Sequence, residues 1–235
     1  MAKKNKEISS SNLIKVKPIT AGQKSVFETW KQGKNQFLFG CAGTGKTFIS
    51  LYLAMQDVLD LKTKYDKVIL VRSLIPTREI GFLPGDEEDK AALYQVPYQN
   101  MVKFMFEQPN EQAFNMLYDR LKNQGSLYFL STSFLRGLTF DNSIIIVDEC
   151  QNLNFHELDT ITTRVGQDSK IVFCGDFSQT DLVKQNEKNG LHDFLRILME
   201  MQEFNCVEFN IGDIVRSGFV RNYLIQKTKL GMGME

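Results

Sequence analysis

The chain has 235 residues, 43% of them hydrophobic, enough for one domain with a full core or two cramped ones. Its 28 basic and 28 acidic residues balance, so no whole-molecule field attracts a polyanion, and any nucleic-acid contact must come from a local basic patch. No run approaches the roughly 20 apolar residues of a membrane span, and the polar start MAKKNKEISSSN lacks the apolar stretch of a signal peptide, so the reading is a cytoplasmic protein.

In chain order, residues 1–12 are polar and expected as a flexible tail, 13–228 as a single domain, and 229–235 as a short C-terminal tail. Continuous apolar runs predict strands at Gln36–Phe39, Val68–Arg72, Leu127–Ser131, Ser143–Val147, Ile171–Cys174 and Cys206–Phe209. They lack in-out alternation, which suits a mainly parallel sheet covered on both faces. Helices are expected at Lys46–Leu61, about Pro97–Glu107, Asn110–Asn123, Phe155–Arg164, Gly190–Glu203 and Phe219–Lys227. Strand alternating with helix predicts a three-layer α/β domain. The stretch 74–95 reads as a long shaped loop, punctuated by Pro76, Gly81, Pro84 and Gly85, with a solvated helix start favoured for the acidic residues 86–89. Cys41, Cys150, Cys174 and Cys206 form no CxxC pair and read as buried, reduced thiols. His156 and His192 read as structural.

Gly40, Gly45, Lys46 and Thr47 fill the pattern G-x-x-x-x-G-K-[ST], between an apolar strand and an amphipathic helix. Such a loop turns several N–H groups toward one anion and adds the positive end of a helix dipole. The spacing assigns Gly40, Cys41, Ala42, Gly43, Thr44, Gly45, Lys46, Thr47 and Phe48 to a nucleotide triphosphate. Lys46 would reach the β- and γ-phosphates and Thr47 would ligate Mg²⁺. Phe48 stands where a dinucleotide fingerprint needs its third glycine.

In SIIIVDECQN, residues 143–152, a buried strand delivers Asp148 and Glu149 to its C-terminal edge. Asp148 is the second metal candidate, and Glu149 the residue that polarises a water. KIVFCGDFSQTDL, residues 170–182, ends a further strand and offers Gln179 as a γ-phosphate detector. TKYD, residues 63–66, fits a guanine-reading pattern but precedes the second strand, and reads as a solvated connection.

GCAGTGKT, VDECQN and GDFSQ resemble motifs I, II and III of superfamily 1 helicases. GFLPGD (81–86), FLRGLTF (134–140) and DIVRSGFV (213–220) are similar to segments of the PhoH family of single-domain ATPases. The resemblance spans roughly residues 20–225 and implies a RecA-like core, with ATP and Mg²⁺ as cofactors. It also implies an adenine-reading role for Gln23, a phosphate-side role for Arg216, and a homo-oligomeric ring, a hexamer by the same resemblance. Cys41, Cys150 and Ser217 stand where Pro, Ala and His are usual.

One such domain lacks the second lobe that helicases close over the nucleotide. A neighbouring subunit is therefore expected to supply an arginine, Arg216 or another. Two functions stay open: coupling of hydrolysis to RNA or single-stranded DNA remodelling, or nucleotide-gated assembly without movement of nucleic acid. Arg72, Arg78, Arg136 and Arg164 are the candidates for a nucleic-acid path.

Overall fold

A computed structural model describes residues 6–73, 87–132, 135, 137–176 and 190–230. Six strands form one sheet: β1 (Asn35–Gly40), β2 (Lys67–Arg72), β3 (Leu127–Ser131), β4 (Ser143–Val147), β5 (Lys170–Gly175) and β6 (Phe204–Phe209). Their order is β3-β2-β4-β5-β1-β6, and every pairing is parallel. The helices are α1 (Ala21–Trp30), α2 (Lys46–Leu59), α3 (Glu87–Phe106), α4 (Glu111–Asn123), α5 (Phe155–Thr162), α6 (Leu191–Glu200) and α7 (Gly218–Lys229).

Alternate residues of each strand serve opposite faces, and both faces are apolar. Leu38, Val68, Leu70, Ile144, Ile146 and Val172 pack on one side with α1 to α4. Phe37, Phe39, Ile69, Val71, Ile145 and Phe173 pack on the other with α5 and α6. This double burial is why the strands read as unbroken hydrophobic runs. It confirms the three-layer α/β class, and all six predicted strands are present within two residues of their expected ends.

The structure differs from the sequence-based expectation at three places. The chain forms α1 where no helix was expected; Thr20 caps it, its hydroxyl accepting from the Gln23 N–H at 3.3 Å. Residues 90–95, expected as loop, belong to α3, which begins at Glu87, in keeping with the helix start favoured for 86–89, and carries Pro97 in its interior. Residues 6–12, expected to be flexible, are seated: Ile8 and Leu13 join the core, and the Lys6 ammonium donates to the Val58 and Asp66 carbonyls at 2.8 and 2.6 Å.

The cysteines also divide. Cys150 and Cys174 are buried, whereas Cys41 is half-buried and Cys206 faces solvent on the edge strand β6. TKYD lies at the N-terminal edge of the sheet, where the Asp66 N–H donates to the Asn142 carbonyl and Lys64 pairs with Asp168 at 3.1 Å. That is the edge opposite the glycine loop, as expected of a simple connection.

Candidate active site

β4, β5 and β1 are neighbours, so the segments leaving their C-terminal ends emerge side by side. The sheet order alone therefore brings the 40–47 turn, Asp148–Glu149 and Asp176 together.

The turn leaves β1 at Gly40 with φ 119°. A Cβ built there would stand 2.1 Å from the Phe209 carbonyl oxygen, so only glycine allows β1 and β6 to run this close. The Cys41 N–H then donates to that carbonyl at 2.8 Å. Gly45, left-handed at φ 87°, ends the turn and launches α2 with its free N–H groups toward the cavity. Lys46 folds back over the turn. Its ammonium donates to the Cys41 and Gly40 carbonyls at 2.8 and 3.3 Å and pairs with Asp176 at 2.7 Å.

Across the cavity, the Thr47 hydroxyl donates to Asp148 Oδ1 at 2.7 Å. The Tyr98 hydroxyl donates to the other oxygen, Oδ2, also at 2.7 Å. Thr47 and Asp148 thus offer adjacent hard oxygens. Among the described residues no group of three or more His, Cys, Asp or Glu could hold a metal. That donor set suits Mg²⁺, which is usually held by one or two carboxylates while keeping waters and substrate phosphate oxygens.

Glu149 follows in a left-handed backbone conformation, φ 53°, uncommon for a residue with a side chain. Its carboxylate accepts from the Gln151 amide, whose oxygen in turn accepts from the Asp176 N–H at 3.2 Å. Burial, then the charges of Asp148 and Asp176, raise its pKa above the ordinary carboxylate value.

Two further elements reach the turn from the chain termini. Gln23 on α1 is buried; its amide nitrogen donates to the Thr44 carbonyl at 3.0 Å, and its oxygen accepts from the Ile19 N–H at 2.9 Å. One amide hydrogen and one lone pair stay available to a ligand. The Val215 N–H donates to the Gly43 carbonyl at 3.0 Å, and a Cβ on Gly43 would lie 3.0 Å from Arg216 Cγ. Arg216 therefore sits against the turn of its own chain. Asp213 ties these elements together, accepting from the Gly22 N–H at 2.8 Å and the Asn210 N–H at 2.9 Å. Burial alone would raise its pKa; these N–H donors and the Thr20 hydroxyl outweigh it and hold the pKa below the ordinary value.

The cavity measures about 840 Å³ and is lined by residues 43–49, Gln23, Tyr98, Met101, Phe104, Asp148, Glu149, Asp176 and Arg216. Gln179, Arg78, Arg136 and the GFLPGD segment lie outside the described residues. Arg72 reaches the cavity, whereas Arg164 precedes β5 at the opposite edge of the sheet, away from it. Neither histidine lines the cavity.

The sequence profile described as "PhoH-like protein" matches residues 15–226. The chain belongs to the PhoH-like family. A PhoH-like protein of Synechocystis is 33% identical over 186 residues, which are 79% of this chain and 54% of that protein. Protein PhoH of Escherichia coli is 32% identical over 190 residues, 80% of this chain and 51% of that one. The chain thus spans about half the length of these curated relatives. Among solved structures, the large terminase of a thermophilic bacteriophage aligns over 90% of this chain and 50% of its own, with a TM-score of 0.52 and 12% identity. At that identity the likeness is one of fold, that of a RecA-like P-loop NTPase domain.

Sequence reasoning missed Tyr98, Gln151, Asp176 and Asp213 as members of this PhoH-like site. Gln151 and Asp176 stood within quoted motifs, two residues from Glu149 and one beyond Gly175. Tyr98 carries no local signal, because its partner lies 50 residues away.

Proposed function

We propose that this PhoH-like protein is a Mg²⁺-dependent ATPase that couples hydrolysis to RNA or single-stranded DNA remodelling as a homo-oligomer. The observation that carries the ATPase reading is the 2.7 Å contact between Thr47 and Asp148, with Lys46 and Glu149 on the same cavity.

The N–H groups of 43–47 and the Lys46 ammonium cradle the β- and γ-phosphates, which displace Asp176 from Lys46. Thr47 and Asp148 hold Mg²⁺; when bound, it neutralises charge on the phosphate oxygens. Glu149, held by Gln151, accepts the proton of the attacking water, and its raised pKa makes it a stronger base. Arg216 stabilises transition-state charge from within its own chain. Gln23 contacts the adenine edge, and Gln179 completes the γ-phosphate side.

Ile19, Phe104 and Val215 line the cavity and stay exposed, at 74%, 61% and 37%. This apolar rim supports closure by a second copy over the site, and a head-to-tail contact of that kind closes into a ring.

The test is the ATPase rate with and without single-stranded RNA or DNA at two salt concentrations. Stimulation that fades as salt rises is the expected result. An ATPase indifferent to both polymers at low salt would favour nucleotide-gated assembly, in keeping with the zero net charge.

A further inference from the structure

Helix α3 forms one wall of the cavity, supplying Pro97, Tyr98, Asn100, Met101 and Phe104. It stands at the site in two ways. Phe104 packs edge-on against Phe48 at the start of α2, with ring centroids 5.7 Å apart. Tyr98 goes deeper. It is 2% exposed, its ring packs on Phe129 of β3 at 5.7 Å, and its hydroxyl donates to Asp148 Oδ2 at 2.7 Å. The Arg72 guanidinium at the end of β2 lines the same cavity and lies 5.6 Å from the Tyr94 ring, one turn before Tyr98 on α3.

The Asp148 carboxylate is consequently gripped on both oxygens, by Thr47 from α2 and by Tyr98 from α3. A carboxylate with one free oxygen can rotate about its terminal bond, which is a broad, soft torsion. One held on both sides presents a fixed lone pair toward Thr47, where the cation's water shell would lie.

We propose that Tyr98 is a positioning residue for the metal end of the site, orienting Asp148 through its hydroxyl. The inference rests on the ATPase reading above, since it takes Thr47 and Asp148 as the Mg²⁺-side pair. Partners that orient a ligating carboxylate typically govern metal affinity by 10- to 100-fold. Tyr98 also makes α3 a mechanical link, because a shift of that helix would move the metal-side carboxylate directly.

The experiment compares binding of a fluorescent ADP to the wild-type chain and to Tyr98→Phe, each with and without Mg²⁺. Phenylalanine keeps the ring and its packing on Phe129 and deletes only the hydroxyl. In the wild type, Mg²⁺ tightens binding. In Tyr98→Phe, affinity without Mg²⁺ is expected within about twofold of wild type, while the Mg²⁺-dependent tightening falls on the order of tenfold. A second measurement places the substitution in an Asp148→Asn background, where Tyr98→Phe is expected to change nothing further. Undiminished Mg²⁺-dependent tightening in Tyr98→Phe, or an equal loss with and without Mg²⁺, would overturn the positioning role of Tyr98 while leaving the ATPase reading intact. A wild-type chain that binds no nucleotide would overturn both.

Discussion

The Thr47 hydroxyl and the Asp148 carboxylate meet at 2.7 Å although 101 residues separate them in sequence. One starts the helix after β1 and the other ends β4, and only β5 lies between those strands in the sheet. The sheet order, and no local feature of either segment, creates the pair. It is also what places Asp176, at the end of β5, within 2.7 Å of Lys46.

The close approach of β1 to β6 at Gly40 predicts a severe cost for any side chain there. Gly40→Ala would set a methyl against the Phe209 carbonyl at 2.1 Å, in a backbone region that L-residues avoid. Chemical denaturation is expected to show a loss of about 3 kcal/mol or more. Gly33→Ala is the control: its φ of 77° is also positive, but nothing lies within 4 Å. It should cost about 1 kcal/mol. Equal losses at the two sites would refute the steric account.

Arg216 packs on the turn of its own chain, which bears on how subunits share work. Both Lys46→Ala and Arg216→Ala should lose most ATPase activity, the latter by roughly 10³-fold. When the two variants are mixed at equal concentration, activity is expected to stay at the sum of the separate rates. Recovery well above that sum would mean that Arg216 crosses to a neighbouring site.

Lys170 opens β5 at 2% exposure, with its ammonium 4.1 Å from the centre of the Trp30 ring and donating to the Trp30 carbonyl at 3.2 Å. Burial lowers its pKa from 10.5 to about 8, against an opposing pull from Asp57. Between those values the unfolded chain keeps a proton that the folded chain has released. The penalty of burying the ammonium is therefore full below pH 8 and fades as pH rises through that window. Lys170→Met removes it. The stability of the variant relative to wild type should fall by about 3 kcal/mol between pH 8 and pH 10.5. Taking the difference cancels the contribution of Cys150 and Cys174, whose thiols burial pushes upward in both proteins. A difference that does not change with pH would show that Lys170 is not buried as a cation.

How far the sequence revealed this arrangement depends on whether a signal was local. The strands were legible because both faces of the sheet are covered, which forces unbroken apolar runs such as SIIIV. The convergence of Lys46, Thr47 and Asp148 on one cavity was legible because the G-x-x-x-x-G-K-[ST] and Asp-Glu patterns set fixed residue types at fixed spacing between strands and helices. Helix α1 escaped because its sequence, AGQKSVFETW, is mostly polar and buries only a narrow stripe of Gly22, Gln23, Val26 and Trp30. Its start did carry a mark, since Thr20 and Gln23 have the spacing of a capping box. The continuity of α3 between its start at Glu87 and Pro97 was masked by that proline, a residue that normally ends helices. Tyr98 meets Asp148 and Asp213 meets Gly22 across separations in sequence that no spacing rule reaches.

The most direct test of the site is phosphate release from Mg²⁺-ATP by the wild-type chain and by Glu149→Gln, with ATP binding followed in parallel. The account predicts that the substitution leaves binding within a few-fold of wild type and slows release by about 10²- to 10⁴-fold. Release at the wild-type rate by Glu149→Gln would contradict it, because a glutamine cannot take the proton of the attacking water.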